Sequence, residues 1–292
     1  MNIPANFDLP PHARKALKGI LSAPDLNVSL YYTAALQYAT AMDLLAQEIP
    51  AIAFPLPGDA LPIRRAAALA LTAYVLAEQV DTLLFGAPQR RGHHCRIGCA
   101  FCCWLPVDVL AHEAITIAAF LSGTLAPAKM EKITQRVTAL DERLAAMSSV
   151  ECIRAQVPCP LLDLEDMTCR IYTVRPHACR QYASFDRDAC ERALGDPDAA
   201  VPTDILLQLV HDRVTMGIAV ALYALGIDYH TLDIVSALRI ALTEPDAAER
   251  WLAGEDVFAA ARRSARERGD VDPSERDLED LQSLFREILA AG

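Results

Sequence analysis

Cys95-Arg96-Ile97-Gly98-Cys99-Ala100-Phe101-Cys102-Cys103-Trp104 places four cysteines in nine consecutive positions. Thiolates are soft ligands suited to zinc and to iron–sulfur clusters, and both commonly take four. Spacings of three and two residues let one loop wrap several thiols round a centre, with Gly98 and Ala100 easing the turn. Cys102 and Cys103 are adjacent, so their side chains leave the backbone in different directions. One of them can close a site while the other packs, or both can serve a larger cluster. This stretch therefore predicts a loop organised by chemistry, set between segments that follow a different rule.

Those flanking segments are helical in pattern. Tyr31, Ala35, Tyr38, Met42 and Leu45 recur at three-and-four spacing behind Ser29, a good helix cap. Pro50–Pro62 interrupts, and a second helix is predicted from Ile63 to about Phe85, stopped by Gly86-Ala87-Pro88. Pro106–Leu121 and Pro127–Met147 read as two more helices. From Val150 to Cys190 the texture turns irregular and rich in Cys, Pro and Arg, with β-branched residues predicting a short strand at Arg170–Val174. Helices resume at Asp204–Leu225, Thr231–Leu242 and Asp246–Arg268. Asp272-Pro273-Ser274-Glu275 then opens a last one. The expected fold class is mainly α: a helical body with an irregular cysteine-rich metal-binding unit. The expected divisions are 1–89, 90–190 and 191–292, packed as one body. The middle unit has few large apolar residues in its second half, and a bound metal would supply the missing order.

Composition narrows the function classes. The chain has 292 residues, 53% of them hydrophobic and 22% charged, which favours a folded core over disorder. A net charge of -11 argues against a nucleic-acid partner, which needs a basic face. Arg90-Arg91 is a short exception, and Arg262, Arg263, Arg266 and Arg268 read as a solvated helix face. The N-terminus lacks the basic start and apolar run of a secretory leader, and Met216–Ile227 is too short to span a bilayer, so no membrane role and a cytoplasmic location are expected. In a reducing compartment nine cysteines favour metal ligation or catalysis over disulfides. Twelve glycines, with no GxGxxG, no P-loop and no G-x-S-x-G elbow, leave nucleotide-binding and serine-hydrolase chemistry without support.

Four later cysteines follow at nearly even intervals: Cys159, Cys169, Cys179 and Cys190. Prolines on both sides of Cys159 fix its backbone, as suits a rigid ligand position. The order C-x3-C-x2-C-C, then Cys159-Pro160-Leu161-Leu162-Asp163, then Cys169-Arg170-Ile171-Tyr172-Thr173-Val174-Arg175-Pro176-His177-Ala178-Cys179-Arg180 resembles the YkgJ-type cysteine-cluster proteins, the zinc- or iron-chelating domain. The resemblance covers about Cys95–Tyr182. It implies a metal or iron–sulfur centre, with Cys95, Cys99, Cys102, Cys103, Cys159, Cys169 and Cys179 as the pool of metal ligands. Cys152 and Cys190 fall outside the family pattern and are expected to be structural. So is His112. His93 and His94 are expected as exposed loop residues, and His177 as a neighbour of the ligands rather than one of them. Tyr172 is expected to pack. A tetrathiolate centre is negatively charged, so Arg175 and Arg180, with Arg96, are the expected cofactor-binding cations.

The first eight residues also match the C-x3-C-x-F-C triad of radical S-adenosylmethionine enzymes. Those fold as β/α barrels with a Gly-Gly-Glu-type segment, and Gly-Gly occurs nowhere here. A nucleophilic cysteine is a poor expectation among thiols so crowded. Three functions remain: a metal-centre protein with a redox, sensing or structural role; a protein-modifying enzyme, since flagellin lysine N-methylases are similar across the cluster segment; and a zinc or iron carrier. The second brings a protein substrate, the first allows a protein partner. Between cofactors, three closely spaced cysteines with a remote fourth favour iron–sulfur, of the [4Fe–4S] type, while structural zinc more often uses paired C-x2-C knuckles.

Overall fold

The computed structural model describes residues 61–85, 92–196 and 198–262. The expected helix behind Ser29, the proline break before residue 61, the Gly86-Ala87-Pro88 stop, Arg90-Arg91, Arg263, Arg266, Arg268 and the helix opening at Asp272 lie outside them. Within them the protein is mostly helical.

The core is built on α2, Ala111–Thr124, whose first turns are apolar or buried on every side. Glu113 reaches back to the Leu110 N–H at 3.0 Å and so caps this helix, the half of a capping box that a leucine N-cap leaves open. α1, Pro62–Phe85, packs along α2 with its alanine-rich face. α3, Pro127–Leu144, opens on proline and is amphipathic, burying Ile133, Val137 and Leu144. α4, Ser149–Arg154, is closed by a full capping box between Ser148 and Glu151. The long α7, Ile205–Ala224, lies against α1, while α8, Ile234–Thr243, packs on both α2 and α3. α9, Ala247–Leu252, brings Trp251 into the same core, fully buried beside Phe258.

Two small ladders tie the irregular segments to this body. β1, Asp108–Val109, pairs antiparallel with β4, Leu232–Asp233, in the register Asp108 to Asp233 and Val109 to Leu232. This explains why two predicted helices start late. Residues 106–110 and 231–233 are spent on the ladder, and Asp233 then caps α8 at the N–H groups of Val235 and Ser236. The helix expected from Asp246 stops at Leu252, before Gly254 turns the chain at φ 85°.

The expected strand at Arg170–Val174 is corrected: β2, Leu162–Asp163, pairs with β3, Thr168–Cys169, and Tyr172–Val174 is a 3₁₀ turn. Turn chemistry overrides β propensity here. The Asp163 and Asp166 carboxylates accept from the N–H groups of Glu165 and Thr168, closing the hairpin early, and Ile171 turns inward. Leu161, Ile171 and Val174 enter the main core, so the cysteine-rich unit is welded to the helices instead of standing apart. Each such buried side chain is worth roughly 1.5–3 kcal/mol. Two short helices complete the unit: α5, His177–Gln181, seated on α7, and α6, Arg187–Gly195, seated on the 3₁₀ turn Phe101–Trp104.

Candidate metal centre

Three local devices aim the thiols. Gly98 takes φ 84°, which lets the chain reverse between Cys95 and Cys99. The 3₁₀ turn Phe101–Trp104 carries Cys102 and Cys103 on successive residues. The Pro158-Cys159-Pro160 turn is fastened to it by the Cys159 N–H, which donates to the Cys103 carbonyl at 2.7 Å. The β2–β3 hairpin then supplies Cys169, and α5, entered through Pro176, supplies Cys179.

Six thiols, Cys99, Cys102, Cys103, Cys159, Cys169 and Cys179, line one cavity of about 470 Å³. Cys95 stands outside it, on a second cleft of about 730 Å³ that is also lined by Cys99, Cys102, Cys179 and Cys190. All nine cysteines are free thiols. Among the described residues no three Cys, His, Asp or Glu side chains converge tightly enough to hold a single metal ion. The thiols form the walls of a space; they do not close a tetrahedron.

Burial favours the protonated form of several of these thiols. It is the largest cause of the upward shifts at Cys95, Cys99, Cys169 and Cys179, and it pushes Cys159 to about 11. Cys102 is raised above all by its hydrogen bond with the Cys103 thiol, then by burial. A nucleophilic cysteine needs the opposite shift, so this is poor ground for cysteine catalysis. It is good ground for a metal, whose binding expels the protons.

The two expected cations divide. Arg175 lines both spaces, its guanidinium sits 3.9 Å from the centre of the Tyr172 ring, and its charge favours ionisation at Cys102, Cys169 and Cys179. Its Nε is buried with no hydrogen-bond partner. Arg180 is committed elsewhere. It donates to the carbonyls of Arg175 at 2.6 Å and Thr173 at 2.8 Å, pairs with Glu78, and covers the Tyr74 ring. Tyr172 packs against Arg175, as expected.

Glu113 and His177, which help to line the cavity, belong to a buried polar network that sequence reading missed. Glu113 accepts from the His177 N–H at 2.8 Å and the Tyr74 hydroxyl at 3.1 Å, and the His177 and His211 rings meet at 2.7 Å between their Nδ1 atoms. Burial raises Glu113 and lowers both histidines. The only signal in the sequence was a polar pair, His112-Glu113, at the start of an apolar helix. His112 is fully buried, stacked on Trp251, with no hydrogen-bond partner at either ring nitrogen. His94 accepts from the Arg187 N–H. His93 is no exposed loop residue: its side chain is 7% exposed and its Nε2 lies 2.7 Å from Asp204 Oδ2. Cys152 packs against the core, while Cys190 faces the second cleft with Cys95.

The donor set fits a thiophilic metal: clustered free thiols, an unshared guanidinium nitrogen beside them, and room between. No curated protein and no solved structure matches the chain. Residues 94–195, about a third of its length, match the family model CxxCxxCC, described as "Putative zinc- or iron-chelating domain". The segment that gathers the thiols is therefore similar to a zinc- or iron-chelating domain, and it is carried on a helical body.

Proposed function

We propose that the inner cavity holds an iron–sulfur cluster of the [4Fe–4S] type, ligated by Cys102, Cys159, Cys169 and Cys179, and that the chain is a metal-centre protein with a redox or sensing role. One observation carries this reading: six thiols surround a space of about 470 Å³, yet no three donors among the described residues converge on one point. Zinc–sulfur bonds of about 2.3 Å in a tetrahedron would hold the sulfurs roughly 4 Å apart, round almost no space. In a cluster each thiolate holds its own iron, so the ligands stand further apart. The four chosen thiols interact electrostatically, with Cys179 responding to Cys102, Cys159 and Cys169 together.

The remaining groups have roles in holding such a centre. Arg175 offsets thiolate charge, and its unshared Nε has a hydrogen bond to give to an inorganic or cysteine sulfur. Cys103, hydrogen-bonded to Cys102, supports that ligand. Arg180 holds the Thr173–Arg175 turn, and through it the approach to Cys179. A bound cluster supplies one-electron transfer, with a potential set by these charges and hydrogen bonds.

Anaerobic purification with iron, zinc and acid-labile sulfide analysis tests this. The expected result is about four iron and four sulfide per chain, with broad visible absorption from thiolate-to-iron charge transfer. Stoichiometric zinc without sulfide would overturn it.

A further inference from the structure

We infer that Glu113 is the proton site of the inner centre: when the centre takes up one electron, the Glu113 carboxylate takes up one proton, which reaches it from the second cleft through the Tyr74 hydroxyl. This rests on the iron–sulfur reading of the inner cavity.

The network around Glu113 divides between the two spaces. Glu113 lines the inner cavity together with the thiols, and Tyr74 lines the second cleft. The Tyr74 hydroxyl donates to Glu113 Oε1 at 3.1 Å, so one hydrogen bond joins the two sides. The histidine pair repeats the division, with His177 on the inner cavity and His211 on the second cleft. Capping α2 needs only one carboxylate oxygen, Oε2 on the Leu110 N–H. The other, Oε1, holds the His177 N–H and the Tyr74 hydroxyl. A glutamate that only capped a helix could face solvent, whereas Glu113 is 2% exposed.

Opposing forces set its protonation. Two backbone N–H groups, the Tyr74 hydroxyl and the Arg180 guanidinium favour the carboxylate, while burial favours the acid and outweighs them. A group so balanced responds to a new charge. Reduction adds a negative charge to the cavity that Glu113 lines, which favours its acid form further. Enclosed surroundings screen that charge weakly. The coupling is reciprocal, so a proton bound at Glu113 makes the electron easier to add.

The titratable and charged groups facing Glu113 are Tyr74 on α1, His177 and Arg180 on α5, and His211 on α7 behind His177. His112 precedes it on α2, and Asp108 and Asp212 line the same cavity. The other helices packed on α2 engage their charged groups elsewhere: Arg239 of α8 with Asp141 of α3, and Arg250 of α9 with Glu244 and Glu255. Burial opposes the charged forms of Tyr74, His112, His177 and His211, so these stay neutral. Asp212 is also raised by burial, but its hydrogen bond goes to Gln181. Glu113 alone joins a carboxyl on the inner cavity to a hydroxyl on the second cleft.

The step balances. A one-electron donor reduces the centre. One solvent proton joins the Tyr74 oxygen as the hydroxyl's own proton passes to Glu113 Oε1, and the carboxylate becomes a carboxylic acid. No bond to a cysteine sulfur forms or breaks.

The experiment uses the full chain, purified anaerobically with its inner centre loaded, and iron and sulfide are measured on every sample. Protein-film voltammetry gives the midpoint potential against pH. Each tenfold fall in proton activity should lower it by up to about 59 mV between the Glu113 pKa values of the oxidised and reduced states. Reduced-minus-oxidised infrared difference spectra in that range should show a carboxylate band replaced by a carboxylic acid band. Glu113→Gln keeps an amide oxygen for the His177 N–H and should abolish both the slope and the band change, with iron and sulfide retained. Asp212→Asn should keep both. Tyr74→Phe leaves the carboxyl but cuts its route, so the slope should persist in slow scans while the oxidation and reduction waves separate in fast ones. Helical circular dichroism confirms that each variant is folded.

A potential independent of pH, in an unmodified chain with full iron and sulfide, would overturn the inference and leave the iron–sulfur reading in place. So would an unchanged slope in Glu113→Gln. Fast waves in Tyr74→Phe identical to those of the unmodified chain would overturn the Tyr74 route. Zinc without sulfide would remove the iron–sulfur reading, and the inference with it.

Discussion

The Cys159 N–H donates to the Cys103 carbonyl at 2.7 Å, joining the proline-flanked turn to the end of the first cysteine group. Cys103 and Cys159 both line the inner cavity, so the bond fixes two of its walls to each other. The backbone, held by Pro158 and Pro160, is in place whether or not the thiol carries a metal.

Cys159→Ser should therefore keep the fold and lose the metal. The Ser hydroxyl retains the size of the thiol but is a hard, poor ligand for iron. Iron per chain should fall at least about tenfold, measured by elemental analysis alongside visible absorption. Cys152→Ser, which alters a residue packed on the core, should retain full iron. Equal retention in the two variants would remove Cys159 from the ligand set.

Arg175 and Arg180 should separate in their effects. Arg175→Gln removes the charge that acts on Cys102, Cys169 and Cys179, so the reduction potential should become more negative. A loss of about 1 kcal/mol corresponds to roughly 40 mV for a one-electron couple. Arg180→Gln should leave the potential in place and cost about 1–3 kcal/mol of stability, since it breaks the bonds to the Arg175 and Thr173 carbonyls. Protein-film voltammetry and urea denaturation read the two quantities. A potential shift in Arg180→Gln of the same size would refute the division.

Much of this was legible beforehand, for reasons visible in particular residues. Thiol spacing from Cys95 to Cys179 is local information, and prolines at 158, 160 and 176 fix the backbone on which the thiols sit. Long helices such as Pro62–Phe85 follow from periodicity alone. What escaped were pairings made at a distance. The Asp108–Asp233 ladder joins segments with no mutual signal in sequence, and it cost two helix starts. His93 reads as a polar loop residue until Asp204 arrives from a later helix. Cys190 looked structural because it lies beyond the family motif, yet α6 returns it to the cleft. The Glu113–His177–His211 network is likewise assembled from three helices.

Gly98→Ala should weaken metal retention without a clash against any neighbouring residue. An added Cβ would meet nothing within 4 Å, so its whole effect comes from φ 84°, where an L side chain costs about 1–2 kcal/mol. The turn between Cys95 and Cys99 would relax and shift the first cysteine group. Metal retention should fall roughly 5–30-fold by the same energy. Elemental analysis of the purified chain reads it. Unchanged metal content would show that this turn does not position the thiols.

Stability should fall as the medium is acidified, and His112 should account for part of the slope. Burial holds His112 and His211 neutral, lowering each from 6.5 to about 3. Unfolding restores the ordinary value, so between pH 6.5 and about 3 the unfolded chain binds protons that the folded chain refuses. The stability is thus fully present above 6.5 and is lost as the pH falls through that window, by up to about 1.4 kcal/mol per pH unit for each histidine. Glu113 acts in the opposite sense. Its pKa is raised by burial, so above 4.5 the folded form holds a proton that the unfolded form releases. Metal loss in acid would affect every variant alike, so the informative quantity is a difference. His112→Phe keeps an aromatic ring against Trp251 and removes the titrating group. Urea denaturation of the two chains from pH 7 to pH 5 should show the variant losing about one proton's worth less stability per unit. Parallel curves would mean that His112 titrates in the folded protein as it does in water.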